Sequence, residues 1–98
     1  MTMKKTLEGT KLTLALEGRL DTTTAPELDA ELNASLNNVA ELTLDLTDLV
    51  YLSSAGLRSI LSAQKRMNRQ GSMSVRNVCP AIMEVFEMTG FVDILTIC

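Results

Sequence analysis

The stretch that decides the fold covers residues 41–57 and reads ELTLDLTDLVYLSSAGL. Its first part, residues 41–46, alternates leucines with mostly polar side chains, which is typical of a β-strand with one buried face. At its other end, two serines stand directly before an apolar helical pattern, as they do at many helix N-termini. We therefore predict a strand and a helix joined by a loop, and we place the apolar run of residues 49–52 in that loop.

The same alternation occurs in residues 12–17, and Gly9-Thr10 before them is a turn signal. Residues 2–8 and 11–17 are therefore predicted to form an antiparallel hairpin. A strand buried between two helix layers would be apolar on both faces, whereas these strands are apolar on one face only. The alternation thus predicts a sheet that helices cover mainly on one face.

Three helices are predicted from their start and stop signals. The first begins at residues 24–27, where a Thr-x-x-Glu spacing is typical of a capping box and a proline suits the first turn, and it ends before residues 37–38. The second follows residues 53–56 and is closed by Gly71, and the third covers residues 80–88. The outer face of the second helix is predicted to carry Arg58, Ser62, Lys65, Arg66 and Arg69.

Two further strands are predicted at residues 72–78 and 91–97, which completes the element order β-β-α-β-α-β-α-β. A chain of 98 residues suits one domain, residues 1–98, so the predicted fold class is a single α/β domain with a mixed β-sheet. The strands that start at residues 42 and 73 are joined by a helix and are therefore parallel. The loop after the first of them lies at the carboxyl edge of the sheet, where α/β folds place functional sites.

Composition and charge narrow the classes of partner. The net charge of −3 gives no overall electrostatic signature for nucleic acid or an anionic membrane, so a protein partner is predicted. Cys79 and Cys98 are the only cysteines and form no C-x-x-C pair, which suits a reducing compartment. Neither an apolar signal segment nor an apolar run of membrane length is present, so the sequence predicts a cytoplasmic location.

Missing residue types exclude much of enzyme chemistry. The chain has no histidine, which removes Ser-His-Asp and Cys-His catalysis and histidine-ligated metals. Three acids near the predicted edge, Asp21, Asp45 and Asp48, could hold Mg²⁺, but acids in turns and on polar strand faces are more often simply solvated. We therefore predict a protein that is not an enzyme and uses no cofactor or metal.

The two serines at the predicted helix start allow two interpretations. Ser54, or Ser53, can act as an ordinary N-cap above an apolar run that packs beneath the loop. Alternatively, a serine at this position can become phosphoserine, since free N–H groups and the helix dipole favour an anion there. The local pattern leaves both interpretations open.

Three segments of the chain have a recognisable order of residues: residues 18–21 (GRLD) followed by Thr24-Ala25, residues 44–57 (LDLTDLVYLSSAGL), and residues 85–90 (VFEMTG) before the last predicted strand. Together they resemble the STAS domains of bacterial anti-sigma-factor antagonists. The similarity extends over nearly the whole chain, and its middle segment is quite specific. It implies a single STAS-like domain that acts as a switch rather than as an enzyme.

The resemblance also implies partners and a site. In this family the unphosphorylated antagonist binds an ATP-dependent anti-sigma factor and frees a sigma factor. That partner is a serine kinase that phosphorylates the antagonist, and a serine phosphatase resets it. Ser54 matches the family's phosphoacceptor, and Asp21 matches an acid near that serine. With the apolar run, this predicts a partner surface of Asp21, Thr22, Thr23, Tyr51, Leu52, Ser53, Ser54, Ala55, Gly56 and Arg58.

One position departs from the family pattern. Many members carry Asp directly before the phosphoserine, whereas this chain has Ser53.

Other functions stay open. A STAS scaffold that does not switch, such as a subunit of a transporter or signalling complex, would use Ser54 only as a cap. A phosphoaspartate receiver built on Asp45, or a small Mg²⁺-dependent phosphatase, is a further alternative. The chain length and the lack of a second acid pair at a strand end, with a suitable lysine, count against both of these.

Overall fold

Alternating leucines in two neighbouring strands form the centre of a four-stranded sheet. The computed structural model describes residues 1–98. In chain order its elements are β1 (Thr2–Glu8), β2 (Lys11–Leu20), α1 (Ala25–Ser35), β3 (Glu41–Leu52), α2 (Ser54–Gln70), β4 (Ser72–Arg76) and α3 (Pro80–Thr89). The strands are ordered β1-β2-β3-β4 across the sheet, so strands that follow each other in the chain are also neighbours in space.

The sheet contains both kinds of strand pairing. β1 and β2 form an antiparallel hairpin, whereas β2 pairs with β3 and β3 with β4 in parallel. The two parallel connections run through α1 and α2, as crossover connections usually do. The predicted fold class and the predicted N-terminal hairpin are therefore confirmed.

The helices pack on the leucine face of the sheet. Residues between the leucines, such as Thr13 and Asp45, are only half-buried on the opposite face. Ile60 of α2 and Phe86 of α3 belong to the same cluster of 23 buried residues as the strand leucines. None of the three helices combines the length and the apolar character that a membrane crossing needs. The strand leucines in this cluster include Leu12, Leu14, Leu16, Leu42, Leu44 and Leu46.

Two register shifts between β2 and β3 place the apolar run of residues 49–52 in the strand, and not in a loop as predicted. At each shift β3 contains one residue more than β2, first before Asp48 and again at Val50. The inward positions of β3 therefore change from every second to every third residue, while Val50 and Tyr51 remain exposed. The inward leucines of this part of β3 are Leu46, Leu49 and Leu52.

The predicted strand at residues 91–97 is wrong. Gly90 ends α3 in the left-handed conformation, with φ of 78°, and Phe91–Asp93 then form a 3₁₀ turn. Backbone pairing with the sheet is limited to a single parallel bridge between Ile97 and Val75, in which Val75 donates to the Thr96 carbonyl oxygen and accepts from the Cys98 N–H. The chain after α3 therefore follows the edge of the sheet without adding a full strand.

The start of α1 and the end of β4 also differ from prediction. α1 begins at Ala25 as expected, but the Thr24 side chain does not cap it; its hydroxyl donates to the Arg19 carbonyl oxygen at 2.7 Å. The predicted capping box is wrong because an acceptor near the end of β2 takes that hydroxyl. β4 ends at Arg76, earlier than predicted, since Asn77 leaves the sheet with φ of 58°.

Gly56 determines how closely α2 approaches the ends of β2 and β3. A Cβ atom at this position would lie 2.7 Å from side-chain carbons of Leu20 and Leu52, and 2.9 Å from the Leu20 carbonyl oxygen. We expect Gly56→Ala to lower the free energy of unfolding by about 1–3 kcal/mol through overpacking, although alanine favours helices more than glycine does. Urea denaturation of the two proteins measures this difference.

Gly9→Asn provides the control. Gly9 lies in the hairpin turn with φ of 61° and open space around it, and Asn adopts this conformation more readily than most residues. Its stability should stay within about 0.5 kcal/mol of the parent protein. Equal stability of Gly56→Ala and the parent protein would contradict the close approach of α2.

Candidate functional site

Three segments meet at the carboxyl edge of the sheet: the turn at residues 21–24, the end of β3 and the first turn of α2. The backbone N–H of Ser53 donates to the Leu20 carbonyl oxygen at 2.9 Å, which joins the start of α2 to the end of β2. A surface cavity of about 230 Å³ lies between α1 and α2, and Thr22 and Arg58 are among its lining residues. The segments predicted to form the site are therefore neighbours in the folded protein.

Asp21 organises its own turn. Its Oδ1 accepts hydrogen bonds from the backbone N–H groups of Thr23, at 3.0 Å, and Thr24, at 3.1 Å. The Thr24 N–H bond in particular holds the pKa of the Asp21 carboxyl below its ordinary value, because it stabilises the charged form. Asp21 is therefore a fixed negative charge at this edge of the sheet at neutral pH.

Arg19 connects the Asp21 turn to Tyr51. Its Nε lies 3.7 Å from Oδ2 of Asp21, and its guanidinium carbon lies 4.0 Å from the centre of the Tyr51 ring. An exposed cation–π contact of this kind contributes about 0.5–1 kcal/mol, and it holds the ring in place. Arg19 was not among the predicted site residues, because only the register shifts in β3 place it opposite Tyr51.

The two serines have different roles. Ser53 is the N-cap of α2, and its Oγ accepts a hydrogen bond from the Gly56 N–H at 3.3 Å. Ser54 is the first residue of the helix, is exposed, and its hydroxyl has no hydrogen-bond partner in the protein. Serine and aspartate are both good N-caps, so an Asp at position 53 could perform the same role.

The remaining predicted partner-binding residues divide by exposure. Leu52 and Gly56 are buried, so they lie beneath the surface and do not form part of it. Leu52 takes an inward position of β3, and Gly56 packs against Leu20. The exposed residues are Thr22, Thr23, Tyr51, Ser54 and Arg58, and the half-buried ones are Asp21, Ser53 and Ala55.

The alternative sites built on acidic residues do not assemble. Asp45 lies on the open face of the sheet, where its Oδ1 accepts from the Thr47 hydroxyl at 2.6 Å and from Asn77 Nδ2 at 3.1 Å. The Thr47 hydroxyl bond in particular lowers the pKa of the Asp45 carboxyl. Asp21, Asp45 and Asp48 form no cluster that could hold a metal ion. Asp45 is thus engaged in hydrogen bonds within β3, beside the first register shift, and with the residue that follows β4.

Comparison with known sequences identifies one protein family over almost the whole chain. Residues 3–96 match the family described as "Mlab, STAS domain". BtrV of Bordetella bronchiseptica, provisionally named an anti-sigma factor antagonist, is 36% identical over 88% of this chain and 76% of its own length. The anti-sigma-B factor antagonist of Bacillus subtilis is 30% identical over 84% of this chain and 76% of its own length.

Solved structures have the same fold. An anti-sigma factor antagonist from Mycobacterium paratuberculosis superposes with a TM-score of 0.89 and 21% identity, covering 98% of this chain and 83% of its own. The Bacillus cell fate determinant SpoIIAA in its phosphorylated form superposes with a TM-score of 0.78 and 16% identity, covering 99% and 91%. At these identities the likeness concerns the fold alone.

The division of roles between the serines is open to a direct stability test. Ser53→Ala removes the cap of α2 and should lower the free energy of unfolding by about 1 kcal/mol. Ser54→Ala removes an exposed hydroxyl that makes no hydrogen bond and should change it by less than about 0.5 kcal/mol. Urea denaturation of both variants measures the two effects, and a loss for Ser54→Ala as large as that for Ser53→Ala would reassign the cap.

Asp21 should make the stability of the protein dependent on acid pH. Since its pKa is lower in the folded protein than in the unfolded chain, the carboxylate stabilises the fold above a pH of about 4 and loses this effect as the pH falls through the folded value. Asp21→Asn should therefore lower Tm at pH 7, and the two Tm values should converge in acid. Thermal unfolding across this range measures the difference.

Asp29→Asn is the matched control for that measurement. Asp29 is exposed, and its carboxylate accepts no hydrogen bond in the protein. Its substitution removes no hydrogen bond and should change Tm at pH 7 only slightly. If Asp21→Asn behaved in the same way, the hydrogen bonds of the Asp21 turn would not stabilise the fold.

Proposed function

The chain belongs to the STAS domain family, and from this membership we propose that it is an anti-sigma factor antagonist switched by phosphorylation of Ser54. In this proposal the unphosphorylated protein binds an anti-sigma factor and so releases a sigma factor. The same partner is a serine kinase that phosphorylates Ser54, and a serine phosphatase reverses the modification. The protein acts by binding in the cytoplasm and catalyses no reaction itself.

The observation that carries the proposal is the free hydroxyl of Ser54. A kinase needs an accessible hydroxyl; Ser54 is exposed, and the adjacent Ser53 takes the role of cap, which leaves the Ser54 hydroxyl free. A phosphate at the first residue of α2 would lie beside N–H groups that have no acceptor within the helix, and the helix dipole favours its charge. The modification therefore requires no rearrangement of the buried residues beneath it.

The proposed partner surface consists of exposed residues from the three segments that meet at this edge. It comprises Thr22 and Thr23 of the Asp21 turn, Val50 and Tyr51 near the end of β3, and Arg58 one turn along α2 from Ser54. Val50 is 66% exposed and Tyr51 41% exposed, and an aromatic side chain beside an arginine is a frequent centre of binding energy. The contact with Arg19 orients the Tyr51 ring before any partner binds, which lowers the entropy lost on association.

Phosphorylation would weaken binding through charge. A phosphate adds about −1.5 to −2 charges at neutral pH to a surface that already contains the Asp21 carboxylate. Carboxylates of a partner that approach this edge would then be repelled, and like charges at an interface cost several kcal/mol. The switch in this proposal is therefore a change in surface charge, and the fold itself stays the same.

Substitutions at Ser54 test the switch. The Ser54→Ala variant should still bind a purified anti-sigma factor encoded in the same genome. It should not be phosphorylated when that factor and ATP are added. Ser54→Glu should bind about tenfold or more weakly, since it carries a permanent charge. Isothermal titration calorimetry measures the affinity, and intact mass measures the phosphoryl group.

Ser72→Ala provides the control, because Ser72 is an exposed serine at the start of β4, beyond the end of α2. It should retain both binding and phosphorylation at Ser54. A phosphoryl group on Ser53 or Ser62 with Ser54 unmodified would contradict the assignment of the site. Binding without any phosphorylation would indicate a STAS scaffold that does not switch.

A further inference from the structure

The charge of α2 is unlike that of the rest of the chain. The helix contains Arg58, Lys65, Arg66 and Arg69 and no acidic residue. The other elements and loops therefore hold all twelve acidic residues but only five of the nine basic ones, in a chain with a net charge of −3. The net charge thus conceals a strongly basic element.

Three of these cations lie on one line along the helix. Residues 54, 58, 62, 65 and 69 are separated by four, four, three and four positions, which is the spacing of one helix face. All five residues are exposed. We call Arg58, Lys65 and Arg69 the basic stripe; it begins one turn from Ser54, and the line from Ser54 to Arg69 extends over about 22 Å.

The basic stripe has no partner within the protein. The ion pairs of the structure involve the other cations Lys5, Lys11 and Arg19. Arg66, which lies beside the stripe, is directed to Asn37, whose side-chain oxygen accepts from its guanidinium at 3.1 Å. Asp29 lines the same cavity as Arg58, but the two form no ion pair within 4.0 Å.

The stability of α2 does not account for this arrangement. Only Arg69 lies in the last turn, where the helix dipole favours a cation, and the first turn contains no acid. Lys65 and Arg69 are four positions apart, a spacing at which like charges destabilise a helix. A line of uncompensated cations that opposes helix stability is better explained by an external ligand.

We propose that the basic stripe is a docking surface for an acidic segment of a protein partner. The proposal rests on the proposed function, because the stripe is continuous with the surface around Ser54 through Arg58. An acidic protein segment suits a stripe one helix face wide, whereas the twelve acidic residues outside α2 would repel the extended charge of a nucleic acid. A phosphate on Ser54 would lie one turn from Arg58 and compete with the partner's carboxylates for that cation.

Charge reversal at the far end of the stripe tests the surface apart from the switch. The double variant Lys65→Glu/Arg69→Glu should bind the anti-sigma factor about tenfold or more weakly, and its affinity should depend less on salt. Lys4→Glu/Arg76→Glu changes the net charge equally at two exposed strand residues without ion pairs, and it should bind within about threefold of the parent protein. Circular dichroism confirms that both variants are folded.

A second measurement needs no anti-sigma factor. Nuclear magnetic resonance of the ¹⁵N-labelled protein with a short oligoglutamate peptide should shift amide signals of α2, and these shifts should be absent in Lys65→Glu/Arg69→Glu. If the parent protein failed to bind the anti-sigma factor but showed these shifts, the proposed function would be wrong, whereas the proposal that the basic stripe binds acidic segments would be supported.

Three results would contradict the proposal that the basic stripe is a docking surface for an acidic protein segment. One is unchanged anti-sigma factor binding by the stripe variant, which would leave the proposed function intact. Another is peptide shifts spread over Lys4, Lys5 and Lys11 of the hairpin as much as over α2. The third is tighter binding of a DNA duplex than of oligoglutamate to the same face, which would make the ligand a nucleic acid.

Discussion

The contact between the end of β2 and the start of α2 is the constraint on which the site depends. A backbone hydrogen bond joins Ser53 to Leu20, and Gly56 allows the helix to approach the same residue at close range. This approach places Ser53 where its side chain caps the helix and leaves Ser54 facing solvent. It also places the Asp21 turn, which follows Leu20 directly, beside the first turn of α2.

Much of the fold could be predicted from local pattern. Leucine alternation indicates which face of a strand is buried, and turn and cap residues indicate where helices start and stop, because both depend on neighbours in the chain. The inward spacing of three in residues 46–52 could not be predicted, since it arises from the pairing of β3 with β2. The prediction of a strand after α3 was wrong for a related reason. The apolar residues of this segment pack against the edge of the sheet, and Gly90 redirects the chain before a strand can form.

The site shows the same division between local and distant information. Ser54 and Asp21 could be proposed as site residues because they lie in short segments with a recognisable order of residues. The sequence alone could not decide which serine caps α2, and it gave no sign that Arg19 lies against Tyr51, because that contact joins two strands across a register shift. The net charge of the whole chain gave no indication of the basic helix. It is a sum over 98 residues, whereas the charged residues of α2 are all basic.

The division of roles between Ser53 and Ser54 separates regulation from folding. In a protein switched as proposed, the group that receives the phosphate is not one that holds the helix together, so modification leaves the folding equilibrium nearly unchanged. Cellular proteases, which cleave the opened chain, would then remove the two forms at similar rates. Degradation would not select one form over the other, and the proportion of the two forms would follow from the rates of modification and reversal wherever these are faster than synthesis.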